Sequence, residues 1–395
     1  MSIVSDLKYS RYATTSIFFV NGLVLGIWAT NIPAISRALG LSDGQLGAAL
    51  SMFAAGTMLM IFLAGSVANK LGSRASIVIG GILLSISLPL LVISPSYEVF
   101  FVILLFFGMC NSVIDISMNT HASIIEEKLN KPLMSWFHAA FSFGGMAGAG
   151  LVSVLDAYAL SALTNLGVAA VLMLLTTLLC ARPLRHLRPT LATVAEKKKV
   201  VIRPNGTLLI IAMLTVMSLF TENSMINWSA KYLTDVASTS TGIAAFAFGG
   251  FSFAMAIGRL IGNPLIRRYG RDWVLVCSGL LGVAGFALAI SAPAPLTAIV
   301  GFMLVGLGLA NMTPILYSKA AQAYPQAPSL GLALNGTIGY LGFLICPPII
   351  GATSDHIGLQ FSMSLPLLAM FIVSLVAWKG QLEVRQRATT SPLAD

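Results

Sequence analysis

Long apolar stretches alternate with short polar breaks along the whole chain, and the stretches are of nearly one size. Segments bounded by charge, Gly or Pro fall at about 12–36, 44–68, 75–94, 98–124, 133–155 and 159–181. After a basic connector they resume at about 206–233, 241–266, 272–291, 296–319, 329–352 and 361–379. Each approximates the roughly 20 residues a helix needs to cross a bilayer and exceeds the length of a membrane strand. The pattern predicts an all-α membrane protein of twelve transmembrane helices. Its expected parts are a six-helix bundle over 1–181, a basic linker over 182–204, and a second six-helix bundle with a short tail over 205–395.

Composition agrees and leaves no room for a soluble domain, since 57% of the 395 residues are hydrophobic and only 9% charged, against roughly 25% charged in soluble domains. The net charge of +9 does not mark a nucleic-acid surface, because the basic residues fall in alternate loops. Of the 23 Lys and Arg, all but Arg37 and Lys231 fall on the side that holds the N-terminus. By the positive-inside rule both termini are expected in the cytoplasm. The first residues carry Asp6, Lys8 and Arg11 without a short apolar core and cleavage site, so no removable signal is expected. Cys110, Cys180, Cys277 and Cys346 are solitary, without metal or disulfide spacing, and neither cofactor nor metal is expected.

The two sixes repeat. Asn69-Lys70-Leu71-Gly72 after span two has a counterpart in Arg267-Arg268-Tyr269-Gly270 after span eight, 198 positions on. At similar offsets Trp28 matches Trp228, Gly108 matches Gly306, and His138 roughly matches Asn335. Repeat-related halves are a transporter arrangement, with binding expected at the midplane between them.

The loop Gly65-Ser-Val-Ala-Asn69-Lys70-Leu-Gly72-Ser-Arg74 resembles the G-x-x-x-D-R-x-G-R-[KR] signature of the major facilitator superfamily, and the resemblance covers essentially the whole chain. It implies the major facilitator fold and a gating role for Gly65, Asn69, Lys70, Gly72 and Arg74, with Asn69 departing from the usual Asp. The stretches Trp28-Ala-Thr-Asn31-Ile-Pro33, His138 to Gly150, and Glu222-Asn-Ser-Met-Ile-Asn-Trp228 are similar to the fucose-permease-like branch, and most of all to bacterial inner-membrane proteins of the YbjJ type.

Two acids, Asp115 and Glu222, stand near the middle of apolar segments. A charge at the bilayer centre costs roughly 2.5–3.5 kcal/mol on insertion scales, so such residues usually face a bundle interior or a water-filled path. Asn111, Asp115 and Asn119 lie along one helical face. A carboxyl whose protonation follows water access can take up a proton on one side and release it on the other, and Asp115 and Glu222 are the expected proton-coupling pair. Trp28, Asn31, Asn111, Asn119, His138, Asn227, Trp228, Asn311, Asn335 and Tyr340 supply the flat faces and hydrogen-bonding groups of a substrate site, although each is also explained by helix packing. Arg259 reads as close to the cytoplasmic end of span eight, which leaves midmembrane without a cation and an anionic solute without a partner.

There is no H-E-x-x-H, G-x-S-x-G or P-loop, so neither an enzyme nor a nucleotide-driven pump is expected. Energy would come from an ion gradient or from the solute's own gradient, with about 2.3 kcal/mol per proton per 100 mV available from the former. The expected function is secondary active transport of a small polar solute, such as a sugar, cyclitol or amino sugar, by alternating access with proton coupling. The expected partners are the solute, protons and lipid, with no nucleic acid, and the expected state is a monomer. A proton-coupled exporter is the alternative, because Gly144-Gly145-Met-Ala-Gly148-Ala-Gly150 partly resembles the antiporter motif of drug exporters.

Overall fold

The structure is a computed structural model that describes residues 3–184, 206–325 and 327–380, with side chains at 3–6 and 61–71 outside the description. Its regular elements are all helical: α1 (Ile3–Ala38), α2 (Asp43–Leu71), α3 (Ser73–Val92), α4 (Tyr97–Leu129), α5 (Met134–Ala157), α6 (Ala162–Cys180) and α7 (Gly206–Asp235). There follow α8 (Thr241–Tyr269), α9 (Arg271–Ser291), α10 (Pro295–Leu309), α11 (Met312–Ala323), α12 (Pro328–Gly339), α13 (Leu341–Ser362) and α14 (Ser364–Trp378). Helices pair their own backbone groups, which is what apolar surroundings without water demand.

Ten stretches among the described residues are long and apolar enough to cross a membrane. The 29-residue α2 has a similar length, and α14 is a shorter apolar helix. The expected span at 296–319 is built from two helices, α10 and α11, which part at Ala310–Asn311. The span at 329–352 likewise comprises α12 and most of α13. Within α13 the chain kinks at Gly358 (φ 82°, ψ 154°), so the last crossing begins before α14. Polar residues fix several entries: Ser96, Ser161 and Ser240 accept from the N–H of Val99, Thr164 and Ile243 at the starts of α4, α6 and α8, satisfying donors that have no partner within the helix.

Helices α1–α6 pack largely on one another, through α1 with α5 and α6, α2 with α4, and α3 with α4 and α6. The later helices do the same, through α7 with α12, α13 and α14, α8 with α10, and α9 with α10 and α14. The groups meet where α5 crosses α8 and α2 crosses α13, with α1 touching α7 and α8. Several contacts recur at the sequence offset of 198. Gly108 abuts the Phe53 carbonyl, and Gly306 abuts that of Phe251. Gly72 (φ 80°, ψ 155°) and Gly270 (φ 83°, ψ 160°) start α3 and α9 in a backbone region that only glycine occupies readily. Arg74 lies partly buried in the first turn of α3, whereas Asn69 and Lys70 continue α2 with their side chains outside the description. Most of the expected linker, 185–204, also lies outside the described residues.

The bundle end opposite the termini, where α1 passes to α2 and α7 to α8, is tied between the two groups. Lys231 on α7, 6% exposed, places Nζ 3.1 Å from Asp43 Oδ1 at the start of α2 and also pairs with Asp235 on its own helix. Asp43 accepts the Ser354 hydroxyl of α13 through its other oxygen.

Candidate functional site

Asp115 lies about midway along α4 and Glu222 about midway along α7. Both are partly exposed within the bundle rather than sealed in it. Asp115 takes hydrogen bonds from one side chain, Asn119 one turn on, whose Nδ2 reaches its carboxylate at 3.2 Å and its backbone carbonyl at 2.9 Å. Glu222 faces Arg259 of α8 at 3.8 Å, a separation beyond hydrogen-bonding range.

Arg259 corrects the sequence reading. It stands about 15 Å from the end of α8 at Tyr269, at 1.5 Å per residue, and its side chain turns inward. One guanidinium nitrogen donates to the Ser142 hydroxyl at 2.7 Å and to the His138 carbonyl at 3.2 Å, both on α5. The bundle interior therefore contains a cation, and that cation joins the two helix groups. Sequence position alone misled because an Arg stem is long enough to lead either toward head groups or into the bundle. The available signal was the neighbouring Gly258 and Gly262, which make the face of α8 beside it narrow: Gly262 lies directly against Asn311.

Two tyrosines complete the cluster. Tyr340, between α12 and α13, lies within electrostatic range of Asp115, Tyr317 and Glu222, and Tyr317 on α11 is within range of Glu222. Tyr317 rests against Gly336 and had no place among the sequence candidates. The centre thus gathers Asp115, Asn119, Glu222, Tyr340 and the His138 backbone from that set and adds Arg259, Ser142 and Tyr317. The His138 ring makes an edge contact with Phe18 at 5.6 Å, so the side of the residue that serves the cluster is its carbonyl.

Other candidates are used in packing. Trp28 is 2% exposed and meets Phe107 edge-on at 5.5 Å, and Trp228 is fully buried with no hydrogen-bond partner for Nε1 among the described residues. Asn31 bonds the Ile27 carbonyl and accepts from Asn165. Asn227 donates to Asn223, which donates in turn to the Phe343 carbonyl of α13. Asn311 donates to the Gly258 carbonyl, and Asn335 accepts from Thr215. These are interhelical and intrahelical ties. Asn111 Oδ1 and Asn335 Nδ2 are buried without a partner among the described residues, so both amides retain unused bonding capacity. Among the described residues no group of three metal-binding side chains is found.

A further residue escaped the sequence reading. His121 is fully buried on α4, with Nε2 3.0 Å from the Ser10 hydroxyl of α1 and Nδ1 2.9 Å from the Ser73 hydroxyl of α3. It ties the entry of α3, directly after Gly72, to two neighbouring helices. In the other helix group Lys319, 198 positions on, reaches Asp272 at 2.6 Å at the start of α9.

The sequence model of the family described as Major Facilitator Superfamily matches residues 14–237 and 208–394. An uncharacterized MFS-type transporter of Yersinia pestis is 34% identical over 367 residues, covering 93% of this chain and 94% of that protein. Membrane protein MosC of Rhizobium meliloti is 31% identical over 344 residues, covering 87% and 83%. Among solved structures, a mutant of the nucleoside transporter NupG aligns with TM-score 0.74 at 16% identity, covering 93% of this chain and 99% of that one. A D-xylose-proton symporter aligns with TM-score 0.72 at 17% identity, covering 94% and 98%. At these identities the structural likeness shows the fold. Homology and fold together make the protein a transporter and not an enzyme.

Proposed function

We propose that this chain, which belongs to the major facilitator superfamily, moves a small polar solute by alternating access and couples that movement to protons. The observation that carries the reading is the loose Glu222–Arg259 pair between α7 and α8, with Arg259 also bonded to α5 of the other helix group and Tyr340 within electrostatic range of both Glu222 and Asp115. A carboxylate that gains a proton releases its Arg. The freed Arg then requires another partner, because an unpaired buried charge is costly. Proton uptake on Glu222 thereby alters the bonding between the groups, and Asp115, with no cationic partner at hydrogen-bonding distance among the described residues, is the second site for a proton or for a donor group of the solute.

Twelve spans in two repeat-related halves are supported by packing that recurs after six spans: α1 on α5 as α7 on α13, α2 on α4 as α8 on α10, and α3 on α6 as α9 on α14. The basic loops on the side of the termini support a cytoplasmic location for both, in what we read as a bacterial inner-membrane protein, and on that reading the tied end is extracytoplasmic. The polar set of Asn119, Tyr317, Tyr340, Asp115, Glu222 and Arg259 suits a hydroxyl-rich ring such as a sugar or cyclitol, and the D-xylose-proton symporter and nucleoside transporter among the structural neighbours carry solutes of that kind. Arg259 also gives an acidic group a place to bind.

The test is flux into proteoliposomes under an imposed pH gradient for a panel of sugars, cyclitols and nucleosides. Accumulation with an inward proton gradient supports the import reading. Expulsion under the same gradient assigns the exporter alternative, and indifference of every transported solute to the gradient removes proton coupling.

A further inference from the structure

The end opposite the termini is closed by carboxylates that cap helices of the other half. Asp156, at the end of α5, accepts through Oδ2 the N–H of Gly242 in the first turn of α8 at 2.8 Å. Asp355, next to the kink in α13, accepts through Oδ2 the N–H of Gly44 in the first turn of α2 at 3.0 Å and the Ser42 hydroxyl at 3.1 Å. These are one contact made twice. Gly44 and Gly242 stand 198 positions apart, the offset that relates Gly72 to Gly270, and Asp156 and Asp355 stand within one residue of it.

The local sequence is shaped for the contact. Both receiving helices begin Ser-x-Gly, with Ser42 and Ser240 accepting from the N–H three residues on, Gln45 and Ile243. The serine thus serves its own helix, and the foreign aspartate takes the N–H of the glycine. A Cβ at Gly44 would lie 2.5 Å from Asp355 Oδ2, and one at Gly242 would lie 2.8 Å from Asp156 Oδ2. A first-turn N–H has no partner within its helix and carries the positive end of the helix dipole, so a carboxylate arriving there makes a charge-assisted bond. Each bond joins residues before the linker to residues after it, and separation of the halves at this end breaks both.

We propose that Asp156 and Asp355 are a matched pair of positioning residues that hold the extracytoplasmic end of the transporter shut, so that their release sets the population of the state open to that side. The pair leaves the central polar cluster untouched and acts on the balance between the two accesses. The proposal rests on the alternating-access reading for its meaning, and its test is independent of any solute.

Full-length protein carrying Cys277→Ser is labelled with nitroxides at Leu160→Cys and His356→Cys, which are exposed at this end on opposite sides of the linker. Pulsed dipolar spectroscopy in lipid nanodiscs reads the distance between them. The parent should give a short distance, and Asp156→Ala or Asp355→Ala should each raise the long-to-short ratio about tenfold, with the double variant near a hundredfold. Asp→Asn at either site should recover much of the parent ratio, because an amide oxygen still accepts the N–H, whereas Asp→Leu, which supplies bulk without an acceptor, should not; a purely packing role would predict rescue by both. Gly44→Ala and Gly242→Ala should shift the ratio the same way without removing a charge. A cooperatively unfolding double alanine variant that keeps the parent distribution overturns the latch. If the distances shift as expected while wild type carries no solute in proteoliposomes, the latch stands and the transport reading falls.

Discussion

The charges at the centre of the bundle and those at its closed end are held in opposite ways. At the closed end Asp156 and Asp355 each accept a backbone N–H at 2.8–3.0 Å, and Lys231 is shared between two carboxylates. At the centre, Glu222 stands 3.8 Å from Arg259, and Asp115 is bonded from Asn119 of its own helix. A saturated charge holds two elements in one arrangement, whereas an under-satisfied one can exchange its partner for a proton or a solute. The difference separates a structural tie from the proposed working site.

The most disruptive way to break this comparison is Arg259→Ala. It leaves Glu222 inside the bundle without its cation and removes the bonds to α5, so a stability loss of about 3 kcal/mol is expected, read by thermal unfolding in detergent. Combining it with Glu222→Gln should return at least about 1 kcal/mol, since no charge is then stranded. Strict additivity of the two substitutions would mean that the pair is not coupled.

His121→Ala probes a saturated site away from both regions. Loss of the bonds to Ser10 and Ser73 should cost about 2 kcal/mol in the same assay while gradient-driven flux survives, because the clamp does not line the cavity.

Asp115→Asn and Glu222→Gln sharpen the central half of the comparison. With one coupled proton, a gradient of one pH unit sustains about tenfold accumulation, or ~1.4 kcal/mol. Each variant that removes a coupling site should lower this to about onefold while solute exchange across equal concentrations persists. Full accumulation in both variants would end the coupling proposal. The smallest effect is expected at Lys231→Ala, where the partly exposed partners Asp43 and Asp235 limit the loss to about 1 kcal/mol, read as a modest widening between labels at the closed end.

Much of this was legible in the chain. Spacing of apolar segments located most of the long helices within a few residues, though α1 begins nine residues earlier than expected and the segments at 296–319 and 329–352 are each divided between two helices. The offset of 198 linked Gly72 to Gly270 and Gly108 to Gly306, and the cost of an intramembrane acid singled out Asp115 and Glu222. The tryptophans misled because an aromatic ring satisfies a core and a sugar site equally well, and Trp28 and Trp228 are in the core. The repeated Ser-x-Gly at 42–44 and 240–242 was present in the sequence, yet its meaning depended on aspartates more than eighty residues away in one case and more than three hundred in the other.

The sequence by itself determined the membrane class, the helical content and the family, because these follow from hydrophobic length, backbone hydrogen bonding and near-neighbour motifs. Only the tertiary structure decided that Arg259 points inward to Glu222, that Tyr317 joins Tyr340 beside the two acids, and that Asp156 and Asp355 close one end. The reason is physical: along a helix a residue's depth is fixed by counting, but the direction of a long side chain and the identity of its partner depend on which helices pack against it.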